Sequence, residues 1–124
     1  MIKTAEYMSK PVITADKDVS VLDIVRLMNR HNIGSVMLMD GSQLAGIITE
    51  RDVLRKVISQ EDNPAEITAS DIMTVDVQTV QEDASVMEIS GKMKEHTMRR
   101  IVVVDDNNKP IGIVTSRDLI GLLV

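Results

Sequence analysis

Gly46-Ile47-Ile48-Thr49-Glu50-Arg51-Asp52 returns 66 residues later as Gly112-Ile113-Val114-Thr115-Ser116-Arg117-Asp118. The likeness extends from Met8–Leu54 to Met73–Ile120, with an offset of 65 residues before one inserted residue near Lys109. Thr14/Thr79, Asp18/Asp83, Ser20/Ser85, Val21/Val86, Ile24/Ile89, Met28/Met93, His31/His96 and Asp40/Asp105 recur in register. A period of this length is a duplicated supersecondary unit, so two halves related by a pseudo-two-fold axis are expected, and any site at their seam should exist twice.

Each copy carries the same order of signals. Val12-Ile13-Thr14 and Val77-Gln78-Thr79-Val80 read as short strands leading into loops with Asp18 and Asp83. Ser20-Val21-Leu22-Asp23 and Ser85-Val86-Met87-Glu88 match the Ser-x-x-acid pattern that starts a helix. Val21, Ile24, Val25 and Met28, and then Val86, Ile89 and Met93, follow with helical spacing and read as core stripes. The unbroken apolar runs Ser35–Met39 and Arg100–Val104 predict strands covered on both faces. Turns at Asp40–Gln43 and Asp105–Asn108 lead into second strands, Leu44–Ile48 and Pro110–Val114, and closing helices run over about 50–58 and 116–123. The polar, Pro-containing stretch 60–67 reads as a linker between a first repeat, 1–59, and a second, 68–124. The fold class is therefore α/β (α+β), two copies of a small sheet flanked by helices.

Composition excludes several function classes. Tyr7 is the only aromatic residue, so stacking platforms for single-stranded nucleic acid are absent, and a net charge of −5 disfavours phosphate-backbone binding. Without cysteine there are no disulfides or thiolate metal sites. No apolar run approaches the roughly 18 residues that span a bilayer. Met1–Glu6 lacks the apolar core of a secretory signal, so a cytoplasmic protein is expected. His31 and His96 end matching helices with no second ligand at metal spacing, and no nucleophile–base pair is visible, so neither a metal centre nor catalysis is expected.

The repeated turn supports two readings. Thr49 with Asp52, and Thr115 with Asp118, form good capping boxes, with Gly46 and Gly112 allowing close packing. Equally, a strand ending in a helix N-terminus offers N–H groups and a hydroxyl to a phosphate. Arg51 and Arg117 add charge-assisted donors, and the carboxylate one turn in suits a ribose diol.

The whole chain resembles a tandem pair of cystathionine-β-synthase (CBS) domains, a Bateman module. The resemblance rests on Asp71-Ile72-Met73-Thr74 with its degenerate copy Glu6-Tyr7-Met8-Ser9, the apolar hairpins, and both Gly-h-h-Thr-x-x-Asp endings (h, apolar). Met37 and Val102 stand where that family usually has a proline within the apolar strand. The resemblance implies two clefts between the repeats that take adenosine-containing ligands: AMP, ADP, ATP or S-adenosylmethionine. It implies that Asp52 and Asp118 hold ribose and that Thr49, Thr115 and Ser116 meet phosphate. One site would join Thr49 and Asp52 to Val75-Asp76-Val77, the other Thr115 and Asp118 to Pro11-Val12-Ile13. Ile33-Gly34-Ser35 and Met98-Arg99-Arg100 would border both. Arg99 and Arg100 replace Gly34 and Ser35, so the second repeat brings positive charge and favours a phosphate-bearing ligand. No cofactor is required on this reading; the nucleotide is a regulatory ligand.

Two roles compete: a ligand-sensing module acting on a regulated protein, and a structural dimerisation scaffold with vestigial clefts. The apolar closing helices, with Val53, Leu54, Val57 and Ile58 and with Leu119, Ile120, Leu122, Leu123 and Val124, predict a homodimer under either.

Overall fold

A computed structural model describes Thr4, Met8 and residues 12–122. Pro11, Glu6, Tyr7, Ser9, Leu123 and Val124 lie outside the described residues. The chain divides into two compact units, Ile13–Asp76 and Met1–Val12 with Val77–Val124.

In the Ile13–Asp76 unit, β1 (Thr14–Asp16) is followed by α1 (Val21–His31), β2 (Ser35–Asp40) and β3 (Gln43–Thr49). Next comes α2 (Glu50–Val53), which continues as a π-helical turn over Leu54–Ile58, and then α3 (Ala69–Ile72). The sheet order is β1-β2-β3, with β1 parallel to β2 and β3 antiparallel to it. Val21, Ile24 and Met28 bury the stripe that their spacing predicts, against Val36, Leu38 and Ile48. Both faces of β2 are covered, since Val36, Met37 and Leu38 are all buried. The hairpin turns at Gly41, whose φ of 62° favours a residue without Cβ.

Stretch 60–67 does more than connect. The first N–H groups of a helix lack intrahelical partners. Here Val21 N donates to Ile67 O at 2.8 Å and Leu22 N to Pro64 O at 3.0 Å, while Asp23 N is capped by Ser20 Oγ at 3.1 Å. Beyond it, Ala69 N bonds Val19 O at 2.8 Å, and Ile47 and Thr74 exchange both backbone hydrogen bonds, at 3.0 and 2.9 Å. The segment through Asp76 is therefore built into this unit, and the spatial boundary falls later than the sequence repeat. Gly46 sits beneath this crossing: a Cβ there would stand 2.6 Å from Met73 Sδ and 2.8 Å from Thr74 O.

The other unit repeats the plan with β4 (Thr79–Gln81), α4 (Val86–His96), β5 (Arg100–Val104), β6 (Pro110–Thr115) and α5 (Ser116–Gly121). Its sheet order is β4-β5-β6, again parallel then antiparallel. Ile89, Ile101, Val103 and Val114 form a fully buried centre with Val80, Ala84 and Met93. Thr4, fully buried, donates its hydroxyl to Ala84 O at 2.8 Å.

Local differences from expectation are small and have causes. The first strand of each unit starts two residues later than the β-prone stretch, because pairing with the middle strand begins at Thr14↔Met37 and Thr79↔Val102. The first closing helix spans the expected 50–58, but widens after Val53 so that Ser59 N bonds Leu54 O at 2.9 Å. Ser20 and Ser85 cap α1 and α4. The full reciprocal boxes lie at the two Thr-x-x-Asp turns.

Candidate ligand-binding turns

In both units the last strand ends on a threonine in extended conformation, with φ of −112° at Thr49 and −108° at Thr115. The Asp three residues on folds back. Asp52 Oδ2 accepts from Thr49 N at 2.9 Å, and Asp118 Oδ2 from Thr115 N at 2.8 Å. The threonine hydroxyl oxygens return the favour, accepting from Asp52 N and Asp118 N at 3.2 Å each. Capping is thus realised in both copies.

The sequence suggested an open set of N–H donors for phosphate; most of them are used within the fold. Glu50 N donates to Gly34 O at 3.0 Å and Ser116 N to Arg99 O at 2.9 Å. With the third N–H taken by threonine, Arg51 N and Arg117 N are left as the donors of each first turn without an acceptor among the described residues. In the second unit the six residues of α5 also align few peptide dipoles. Any phosphate here depends chiefly on side-chain charge.

That charge is unevenly distributed. Ser35 is the ladder partner of Thr49, and Arg100 that of Thr115. Directly opposed residues of an antiparallel pair project from the same face with Cβ atoms about 4.5–5.5 Å apart. Arg51, Arg99, Arg100 and Arg117 are all exposed, and none joins an ion pair among the described residues.

The structure places the expected site residues in two groups. Ile13, Ile33, Ser35, Thr49, Arg51, Asp52 and Val75 belong to one unit; Val12, Val77, Met98, Arg99, Arg100, Thr115, Ser116, Arg117 and Asp118 belong to the other. Ile13 O accepts from Met37 N at 3.1 Å, and Val75 is 69% exposed. Ile33 and Met98 pack against their cores. No group of three or more metal-ligating side chains gathers among the described residues, and none of their helices is long and apolar enough to cross a membrane.

Sequence reasoning missed Lys56. Its ammonium lies 3.4 Å from Asp52 Oδ1 and donates to Ile72 O at 2.8 Å. The i,i+4 spacing with Asp52 was the available signal. It also missed a hollow of about 320 Å³ between α1 and α2, lined by Val25, Met28, Ile33, Val53, Leu54 and Glu50 among others.

The family model for the CBS domain matches residues 5–59 and 69–124, and the chain belongs to that family. An uncharacterized protein of Methanopyrus kandleri is 42% identical over 96% of this chain, and L-aspartate semialdehyde sulfurtransferase of Methanocaldococcus jannaschii is 35% identical over 92% of it. The chain spans only 61% and 22% of those relatives' own lengths. The CBS domain pair of protein MJ0100, solved in complex with 5′-methylthioadenosine and S-adenosyl-L-methionine, superposes with a TM-score of 0.85 at 33% identity, covering 98% of this chain and 95% of that one.

Proposed function

We propose that this chain is a cytoplasmic, non-catalytic regulatory module that binds an adenosine-containing ligand at its Thr-x-x-Asp turns. The observation that carries this reading is the Asp118 carboxylate: partly buried, ionisable, and with Oδ1 uncommitted among the described residues. A ribose diol supplies the two O–H donors that such an acceptor suits. The similarity to a pair that holds methylthioadenosine and S-adenosylmethionine supports the adenosine class. Arg99 and Arg100 favour phosphate-bearing members, AMP, ADP or ATP, over neutral adenosine. Binding acts by linkage, stabilising the competent state by RT ln(1 + [L]/Kd), about 2.7 kcal/mol at a hundredfold excess over Kd, and so biasing association with a regulated partner.

Thermal-shift measurements across adenine and guanine nucleotides test it. Stabilisation by adenine ligands alone is expected; a flat response throughout would sink the sensor.

The second reading, a dimerisation scaffold, draws on Leu54, Ile58 and Ile120, which are 56%, 57% and 62% exposed, and on the α1/α2 hollow that Leu54 helps to line. Such apolar exposure on short helices fits a homodimer under both readings.

A further inference from the structure

The Asp52 carboxylate is already occupied from within the chain. Its Oδ2 receives the Thr49 N–H at 2.9 Å and the Thr49 hydroxyl at 3.1 Å, and its Oδ1 faces the Lys56 ammonium at 3.4 Å. Lys56 is itself anchored, because it also donates to Ile72 O at 2.8 Å, the last carbonyl of α3 and one that the helix cannot satisfy internally. The Asp52 side chain is only 16% exposed. In the repeat, the residue corresponding to Lys56 is Leu122. Among the described residues no cation therefore reaches Asp118, and no acceptor is seen for the Thr115 hydroxyl proton. Two copies of one turn differ in how much hydrogen-bonding capacity they have left.

We propose that Lys56 is an internal occupant of Asp52 that makes the two turns unequal, so that an adenosine ligand fills the Asp118 turn first. This rests on the adenosine reading above. A diol approaching Asp118 finds an uncommitted oxygen. At Asp52 it must share that oxygen with an ammonium or displace it, and displacement also strips the Ile72 carbonyl of its donor. The expected disparity is about tenfold in Kd, the scale of one charge-assisted hydrogen bond. The serine opposite Thr49, in place of the arginine opposite Thr115, works in the same direction for a phosphate-bearing ligand.

Calorimetric titration of the full chain with AMP tests this in wild type, Lys56→Leu, Lys56→Met and Leu122→Lys. Wild type should show one strong and one weaker class of sites. Both Lys56 variants should strengthen the weaker class by about tenfold, and Leu122→Lys should weaken the stronger by a similar factor. Leu122 is exposed, so that variant leaves the core untouched and reports even if Lys56 proves necessary for folding. Two equal sites in wild type overturn the proposal. So does a weaker class that the Lys56 variants leave unchanged or weaken, since Lys56 would then be neutral or itself a ligand group. Absence of binding to wild type, by AMP and by methylthioadenosine alike, overturns the adenosine reading and this proposal with it.

Discussion

Arg100 stands directly across the β5–β6 ladder from Thr115, the place that Ser35 holds against Thr49 in the other unit. One substitution at equivalent register positions thus gives one turn a guanidinium and leaves the other with a hydroxyl. Capping does not require the difference, because both boxes close with nearly the same distances.

Replacing Arg100 by Ser should therefore lower affinity for AMP or ATP about tenfold more than affinity for adenosine, which offers the guanidinium no anionic acceptor. The gap should narrow as salt rises, since the exposed charge is screened. Titrations at low and high ionic strength check this. Equal losses for adenosine and AMP would remove Arg100 from the phosphate contacts and leave the ribose assignment standing.

Asp118→Ala removes both a cap and the proposed diol acceptor. Stability should fall by about 1 kcal/mol from the lost cap, and affinity for the strongest ligand by about 1–3 kcal/mol. Chemical denaturation and titration of the same variant separate the two effects; a stability loss with unchanged affinity would restrict Asp118 to capping. Asp52→Ala should cost similar stability with a smaller loss of affinity, because Lys56 already draws on that carboxylate.

Gly46→Ala should destabilise the protein by about 1–3 kcal/mol, as overpacking against fixed atoms does. The new methyl meets the Thr74 carbonyl oxygen, and Thr74 is tied to Ile47 by two backbone hydrogen bonds, so the neighbour has little room to retreat. Gly41→Ala probes a different cause, positive φ without crowding, and should cost less, about 1 kcal/mol. Urea unfolding midpoints of the two variants give the comparison; equal midpoints would mean the crossing over Gly46 relaxes freely.

Leu54→Asp combined with Ile120→Asp should convert a homodimer to monomer, because buried unpaired carboxylates at an apolar interface are strongly unfavourable. Light scattering across a dilution series measures the outcome. A wild type that stays monomeric at all concentrations would remove self-association from both functional readings.

Whatever depends on neighbours within a few positions can be read from the order of residues. The Ser20, Ser85, Thr49 and Thr115 caps need only a donor three residues away, and the α1 stripe and the Ile89 and Met93 positions of α4 need only helical spacing, so these were legible. Val86, expected in the α4 stripe, is only partly buried at the start of the helix. The buried strands β2 and β5 announced themselves as apolar runs, and the duplication doubled every signal. Where the long-range hydrogen bonds go depends on the assembled fold. The 60–67 stretch reads as a polar linker, yet its Pro64 and Ile67 carbonyls cap α1, because a helix start accepts whichever acceptor the fold delivers. Glu50 N and Ser116 N are claimed by the carbonyls of Gly34 and Arg99, which closes much of the anion site that the local pattern suggested. Lys56 sits at helical spacing from Asp52, which sequence shows, but its anchor on Ile72 O is 16 residues distant and exists only once α3 has docked. Local periodicity encodes which residues face inward; only the assembled unit decides which of their polar groups remain free.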